Sequence, residues 1–209
     1  YGADTLRCYE MFLGPLTQHK PWDTQGISGV HNFLRKTQRL YTQATDGGPM
    51  PAEASEDALR IVHKAIAKVT DDLDRQAFNT VVSALMIAVN ELSSASGDMG
   101  QNALQPLAVL LSPYAPHLAE ELWASAGGSG SVLDAAWPAA DSAFLVEDSV
   151  TYPVSFNGKV RFKVELAASM PPRDVEALIR AHDKTLEQLG DKSIRKVIVV
   201  PGRIVNVVA

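Results

Sequence analysis

The stretch Leu110–Trp123, LLSPYAPHLAEELW, decides how this chain folds. Its two prolines, Pro113 and Pro116, close one apolar helix and open the next. A proline has no N–H to give a helix interior, but its fixed φ suits a first helical turn, so Pro116 reads as a helix opener. Behind it Leu118, Leu122 and Trp123 form one apolar stripe, and Glu120 and Glu121 are expected to face solvent. The segment therefore predicts two packed helices with a kink between them.

Helical signals continue upstream. Asp4 is placed to cap a short helix carrying Leu6, Tyr9, Met11 and Phe12, which stops at Gly14-Pro15. Asp23 or Thr24 is expected to cap the next, with Ile27, Val30, Phe33, Leu34 and Leu40 inward and Arg35, Lys36 and Arg39 outward, as far as the breaker Asp46–Pro51. Ser55, Glu56 and Asp57 open a third helix, whose Leu59, Val62, Ile66, Val69 and Leu73 recur at steps of three and four. A fourth runs from about Ala77, with Phe78, Val81, Leu85, Val89 and Leu92 inward, to Ser96-Gly97-Asp98. Residues 1–126 thus predict an antiparallel helix bundle. Residues 127–148 begin with Gly127-Gly128-Ser129-Gly130-Ser131 and predict a flexible linker followed by a segment folded back on the bundle through Trp137-Pro138, with a domain boundary near Asp148.

Beyond it the period changes to two. Val150, Tyr152, Val154 and Phe156 alternate with small or polar residues, and Val160, Phe162, Val164 and Leu166 with charged ones. Asn157-Gly158 marks the hairpin. A loop of Phe156-Asn157-Gly158 would set Val154 opposite Val160 and Tyr152 opposite Phe162, leaving Lys159, Arg161 and Lys163 on one solvent face. Pro171-Pro172 opens a helix through Val175, Leu178 and Ile179, and Leu186 and Leu189 make a further turn for Gly190 to close. Two strands, from Ile194 to Val200 and from Arg203 to Val208, complete a small β-β-α-β-β domain over residues 149–209. The fold class is α followed by α+β.

The net charge of −5 is unevenly spread. Residues 1–148 carry nine basic and eighteen acidic side chains, and residues 149–209 carry ten and six, so the last domain is basic. No Lys or Arg occurs between Gln76 and Gly158, which confines contact with an anionic partner to the first helices and the last domain. The candidates for RNA phosphates are Arg35, Lys36, Arg39, Arg60, Lys64, Lys68 and Arg75 along the bundle. In the small domain they are Lys159, Arg161, Lys163, Arg195, Lys196 and Arg203. Backbone and shape recognition of folded RNA needs a cationic face and no sequence-reading motif.

No catalytic constellation is present. His19, His31, His63, His117 and His182 lie on separate elements without the pairing of a zinc helix, and each reads as a surface or structural residue, His117 packed at its helix start. Glu120 and Glu121 face apart, and Asp71, Asp72 and Asp74 read as a charged helix end. No glycine-rich phosphate loop follows a strand, and Lys192-Ser193 lies at a strand entry. No metal or cofactor of its own is expected. With Cys8 alone, no internal disulfide forms, and a reducing cytosol is the expected compartment. Apolar runs such as Ala84–Val89 are too short to span a bilayer. A chain opening on Tyr1 without a Met is expected to be part of a longer one.

Four motifs in collinear order resemble the leucyl-tRNA synthetases of bacterial type. YGADTLRCYEMFLGPL (Tyr1–Leu16) resembles the segment just beyond their KMSKS loop. FNTVVSALMIAVNEL (Phe78–Leu92) and SPYAPHLAEELW (Ser112–Trp123) resemble their anticodon-binding-type helices. FNGKVRFKVEL (Phe156–Leu166) with IRKVIVVPGRIVNVVA (Ile194–Ala209) resembles their C-terminal domain. The resemblance implies docking of tRNA(Leu) beside catalytic and editing domains of the same polypeptide, in a monomer. ATP with Mg is used by the whole enzyme through HIGH and KMSKS motifs that this sequence lacks. It implies that the bundle lies along the tRNA and that the small domain approaches the elbow, without dependence on the leucine anticodon. The alternatives are the same region of a valyl or isoleucyl enzyme, and a synthetase-like protein–protein scaffold. Cys8 and Arg203 depart from the common pattern, and residues 182–190 match it least.

Overall fold

The computed structural model describes residues 1–23, 25–46, 48–146, 149–168, 170–189 and 193–208. Thr24, Gly190, Lys192 and Asp148, to which a cap, a helix stop, a strand entry and a boundary were assigned above, lie outside them. The chain forms two compact units, Tyr1–Leu145 and Val146–Ala209.

The first unit is helical: α1 (Ala3–Phe12), α2 (Ile27–Ala44), α3 (Glu56–Asp74), α4 (Phe78–Leu92), α5 (Gln101–Leu111) and α6 (Pro116–Ser125). The three-four spacing has its expected result. Ile27, Val30, Phe33, Leu34, Leu40 and Tyr41 of α2 are buried, as are Val62, Ile66 and Val69 of α3. They share one core with Val81, Leu85, Val89 and Leu92 of α4 and with Leu104, Leu107, Leu110 and Leu111 of α5. Ser55 caps α3 through its hydroxyl, which accepts from Ala58 N at 3.4 Å, and Pro116 opens α6. Within the opening stretch Tyr114, Ala115, Ala119 and Leu122 are buried.

Two carboxylates act differently from expectation. Asp4 lies inside α1, where Gly2 is the N-cap, and its side chain reaches α6 instead. Its Oδ2 accepts from Leu118 N at 2.7 Å, and its Oδ1 lies 2.7 Å from Nδ1 of His117. It thus supplies from another helix the acceptor that α6, opened by Pro116 and Ala115, lacks locally. His117 is correspondingly exposed rather than packed. Asp4→Ala is expected to cost about 1–2 kcal/mol, read as a lower urea midpoint, with Asp4→Asn recovering part of it. Glu120 turns inward as well. It accepts from the Ser131 hydroxyl and from Val132 N at 3.2 Å, fixing the 3-10 turn Val132–Asp134.

The glycine stretch expected to be a flexible linker is ordered on the first unit. Gly127, at φ 76°, closes α6, and the Trp123 indole lies across Gly128, where a Cβ would come within 2.2 Å of it. The following segment is held to α3. Trp137 Nε1 donates to Thr70 Oγ1 at 2.9 Å, Asp141 N donates to His63 Nδ1 at 3.0 Å, and Phe144 stacks on His63 with centroids 4.7 Å apart. At the other end, Asp23 accepts from Gln25 N at 2.9 Å, one turn before α2, and Gly26 occupies the N-cap.

The second unit is a mixed four-stranded sheet of β1 (Ser149–Phe156), β2 (Lys159–Ala167), β3 (Lys196–Val200) and β4 (Ile204–Val208) in the order β2-β1-β4-β3. Between β2 and β3 come two helices, α7 (Pro172–Ala181) and α8 (Asp183–Leu189), where one helix and a turn were expected. Val175, Ile179 and Leu189 pack with Tyr152, Val154, Phe162 and Val205 on one face of the sheet. β1 runs antiparallel to β2 and parallel to β4.

The hairpin differs from the expected register. It turns on two residues, Asn157 at φ 49° and Gly158 at φ 86°, with Phe156 opposite Lys159. A β-bulge then corrects the alternation: Ser155 faces Val160, but Val154 faces Phe162 and Tyr152 faces Val164. Both turn residues have the positive φ of the tight primed turn, whose twist suits a hairpin, and the extra residue in β2 restores burial of Phe162 and Leu166.

Candidate nucleic-acid interface

Arg35, Lys36 and Arg39 lie on one side of α2 and, with Asn32, Gln43 and Ser93, line an open cavity of about 410 Å³. The period of α2 puts its apolar residues inward and sets these cations together at one edge. Lys36 Nζ donates to Asn90 Oδ1 at 2.6 Å, while Arg35 and Arg39 form no ion pair among the described residues. The patch combines charge with neutral donors and acceptors, the composition that suits a phosphate and its neighbouring sugar.

The α3 cations are differently placed. Arg60 pairs with Glu56 at 2.9 Å, Lys68 with Asp72 at 2.6 Å, and Arg75 with both Asp71 and Asp72 at 2.6 Å. Lys64 is exposed on the same helix. These i, i+3 and i, i+4 pairs lower the net charge that α3 presents. Asp72 is 1% exposed. Its burial alone would raise its carboxyl, but hydrogen bonds from Lys68 and Thr80 and the charges of Lys68 and Arg75 outweigh burial and hold it below its ordinary value. A carboxyl depressed in the fold contributes stability above its unfolded pKa and loses it as pH falls through the folded one. Asp72→Asn is therefore expected to cost about 1–3 kcal/mol at neutral pH, shrinking once the pH falls below about 4. Urea titrations at two pH values measure the difference.

In the second unit Lys159, Arg161, Lys163, Arg195, Lys196 and Arg203 are all exposed, and none forms an ion pair among the described residues. Lys159 does not share one face with Arg161 and Lys163 as expected. Alternation from the buried Phe162 and Leu166 places Arg161 and Lys163 on the sheet face away from α7 and α8, and the register puts Lys196 opposite Val208 on that face. The two-residue turn places Lys159 opposite Phe156, on the helix-covered side at the hairpin end. Arg195 precedes β3, and Arg203 precedes β4 in the connecting turn.

The remaining chemistry is structural. Burial pushes the Cys8 thiol up to about 12, with the Asp4 charge adding to it, so the thiolate nucleophile does not form near neutral pH. Among the described residues no group of three or more His, Cys, Asp or Glu is placed to hold a metal, and no helix is long and apolar enough to cross a membrane.

The family described as the anticodon-binding domain of tRNA ligase matches residues 56–178, more than half of the chain, from the start of α3 into α7. The chain belongs to this anticodon-binding domain family. It is 51% identical over 208 residues to a leucine–tRNA ligase of Christiangramia forsetii and 51% identical to one of Porphyromonas gingivalis, matching along 100% of its own length and 22% of theirs. A leucine–tRNA ligase of Flavobacterium psychrophilum is 48% identical over 210 residues. The chain thus spans 22% of the length of each of these relatives. Among solved structures, Agrobacterium radiobacter K84 LeuRS in a ternary complex with tRNA and LeuAMS is 30% identical, with a TM-score of 0.75, over 100% of this chain and 29% of that one. The similarity falls on leucine–tRNA ligases, which favours that reading over the valyl and isoleucyl alternatives.

Proposed function

We propose that this chain is the tRNA-binding, C-terminal portion of a leucine–tRNA ligase of bacterial type. In this reading it holds tRNA(Leu) while the rest of the polypeptide, using ATP with Mg, performs the aminoacylation in the cytoplasm. The observation that carries it is collinear identity of 51% along the entire chain to a leucine–tRNA ligase. The anticodon-binding domain match and the tRNA-bound relative support the same partner. The helices act as the antiparallel bundle of class I synthetases, and the sheet unit as their small α+β domain. The catalytic and editing domains are partners within one monomeric polypeptide.

The interface is electrostatic and shape-directed. Arg35, Lys36 and Arg39 meet phosphates from the helical unit, and Arg161, Lys163 and Lys196 do so from the sheet unit, supplying affinity by counterion release without reading bases. A chimera tests the proposal. Exchanging this chain for the matching region of the Christiangramia forsetii enzyme should preserve leucylation, and deleting the region should raise KM for tRNA or abolish charging. Equal KM for the truncated and intact enzymes would contradict it.

One feature speaks for the scaffold alternative: an apolar groove between α3 and α4, of about 390 Å³, floored by Ile61, Ala65, Ala84 and Ala88 beside the exposed Ile87. Partner binding there would be insensitive to salt and independent of RNA.

A further inference from the structure

The charges of the sheet unit surround a surface that is not itself charged. Ladder pairing sets Asn206 between Ser155 of β1 and Ile198 of β3 on the open face, while Val200 pairs with Ile204 nearby. Pro153, opposite Lys163, continues the same face toward β2. Ile198 is 40% and Val200 38% exposed, in a strand whose other face already buries Val197. The result is an aliphatic floor with Arg161 and Lys163 along one edge and Lys196 at another.

A directed amide stands in the middle of this floor. Gly158 N donates to Asn206 Oδ1 at 3.2 Å, and the Ser155 hydroxyl lies 2.8 Å from the same oxygen. A backbone N–H only donates, so it fixes which end of the carboxamide is oxygen. The Nδ2 group is thereby turned away from the hairpin, and among the described residues it meets no acceptor. Ser155 is 1% exposed, so this arrangement is held from inside the sheet.

Resting on the tRNA-binding reading above, we infer that this open sheet face receives a nucleobase exposed on the surface of folded RNA. The base plane lies on Ile198, Val200 and Ile204, Asn206 Nδ2 donates to a base or ribose acceptor, and the adjoining phosphates meet Arg161 and Lys163. Charge complementarity selects RNA over an apolar protein partner: three cations without an ion pair among the described residues, against the single carboxylate Glu165 that alternation places on that face, in a unit with ten basic and eight acidic residues, favour a polyanion. Phosphate contact alone would not use the aliphatic floor or the fixed amide.

The test is tRNA(Leu) binding by the whole chain across a salt series, with two variants. Asn206→Asp keeps the acceptor for Gly158 N and replaces the outward donor. Ile198→Ala with Val200→Ala trims the floor at exposed positions. Each is expected to weaken binding about five- to ten-fold, and the floor variant should leave the slope of log Kd against log salt unchanged, because it removes no phosphate contact. Circular dichroism and thermal melting confirm that the variants fold. Wild-type affinity in both folded variants, with steep salt dependence intact, would overturn this inference and leave the tRNA reading standing. Absence of binding by the unaltered chain would overturn both.

Discussion

Reversing Arg161, Lys163 and Lys196 to glutamate together is expected to weaken tRNA binding by more than about ten-fold at low salt and to flatten its salt dependence by about 0.7–0.9 for each phosphate no longer neutralised. All three are exposed, lie on the same sheet face and form no ion pair among the described residues, so the substitutions disturb no internal partner there. Lys159 supplies the control. Because the hairpin turns on Asn157-Gly158, Lys159 stands opposite Phe156 on the other side of the sheet, and Lys159→Glu alone is expected to change binding least. An effect of Lys159→Glu matching that of Arg161→Glu would mean that alternation does not describe how the unit meets RNA. On α3, Arg60→Ala and Lys68→Ala are expected to weaken binding less than Arg35→Ala and Arg39→Ala, since Glu56 and Asp72 already neutralise the α3 cations.

Gly100→Ala is expected to lower the stability of the helical unit by about 2–4 kcal/mol. Its φ is ordinary; the constraint is close approach of two backbones. A Cβ at Gly100 would lie 2.2 Å from Glu53 C, 2.4 Å from Ala54 N and 2.5 Å from Glu53 O. Those atoms cannot move aside separately, because the segment before α3 closes the start of α5. Gln101 N donates to Pro51 O at 2.8 Å, Asn102 N to Ala52 O at 3.2 Å, and Asn102 Oδ1 accepts from Ala54 N at 2.8 Å. Backbone carbonyls thus satisfy donors that a capping side chain would otherwise take, and parting the two segments to admit a methyl group would cost those bonds as well. Chemical denaturation of the alanine variant measures the effect. Gly29→Ala, inside α2, where a Cβ meets no atom within 4 Å and φ is not positive, is the comparison that isolates the clash from the change of residue type.

Elements with a local period were legible in the sequence. Ile27 to Leu40 and Val62 to Val69 repeat at three and four, and each lies on a buried helix face. Features made by distant residues were not. Nothing near Asp4 shows that its carboxylate closes α6, 114 residues away, and Glu120 looks solvent-facing until Ser131 folds back onto it. The hairpin shows how a sound local argument leads to the wrong register. Alternation requires Val154 and Phe162 on one face, and a three-residue loop achieves that without irregularity. The chain instead joins the tight Asn157-Gly158 turn to a bulge, which carries no residue signature of its own.

The candidate site divides in the same way. The cations were visible as residues, and the spacing of Glu56 to Arg60 and of Lys68 to Asp72 already held the signal that α3 neutralises much of its own charge. The uncharged part of the sheet face was missed. Its trace was the run from Val197 to Val200, apolar on both alternating faces where a strand with one wet face would carry polar residues. Asn206 gave no such trace, because its orientation depends on Gly158 and Ser155, about 50 residues away.

The central claim is that this chain is itself a tRNA-docking module. Its most direct test is a binding isotherm of the chain with tRNA(Leu) and with an unrelated tRNA, repeated from low to physiological salt. tRNA(Leu) is expected to bind, with an affinity that falls steeply as salt rises, as several phosphate contacts require. No binding to either RNA, or binding that salt leaves unchanged, would contradict it.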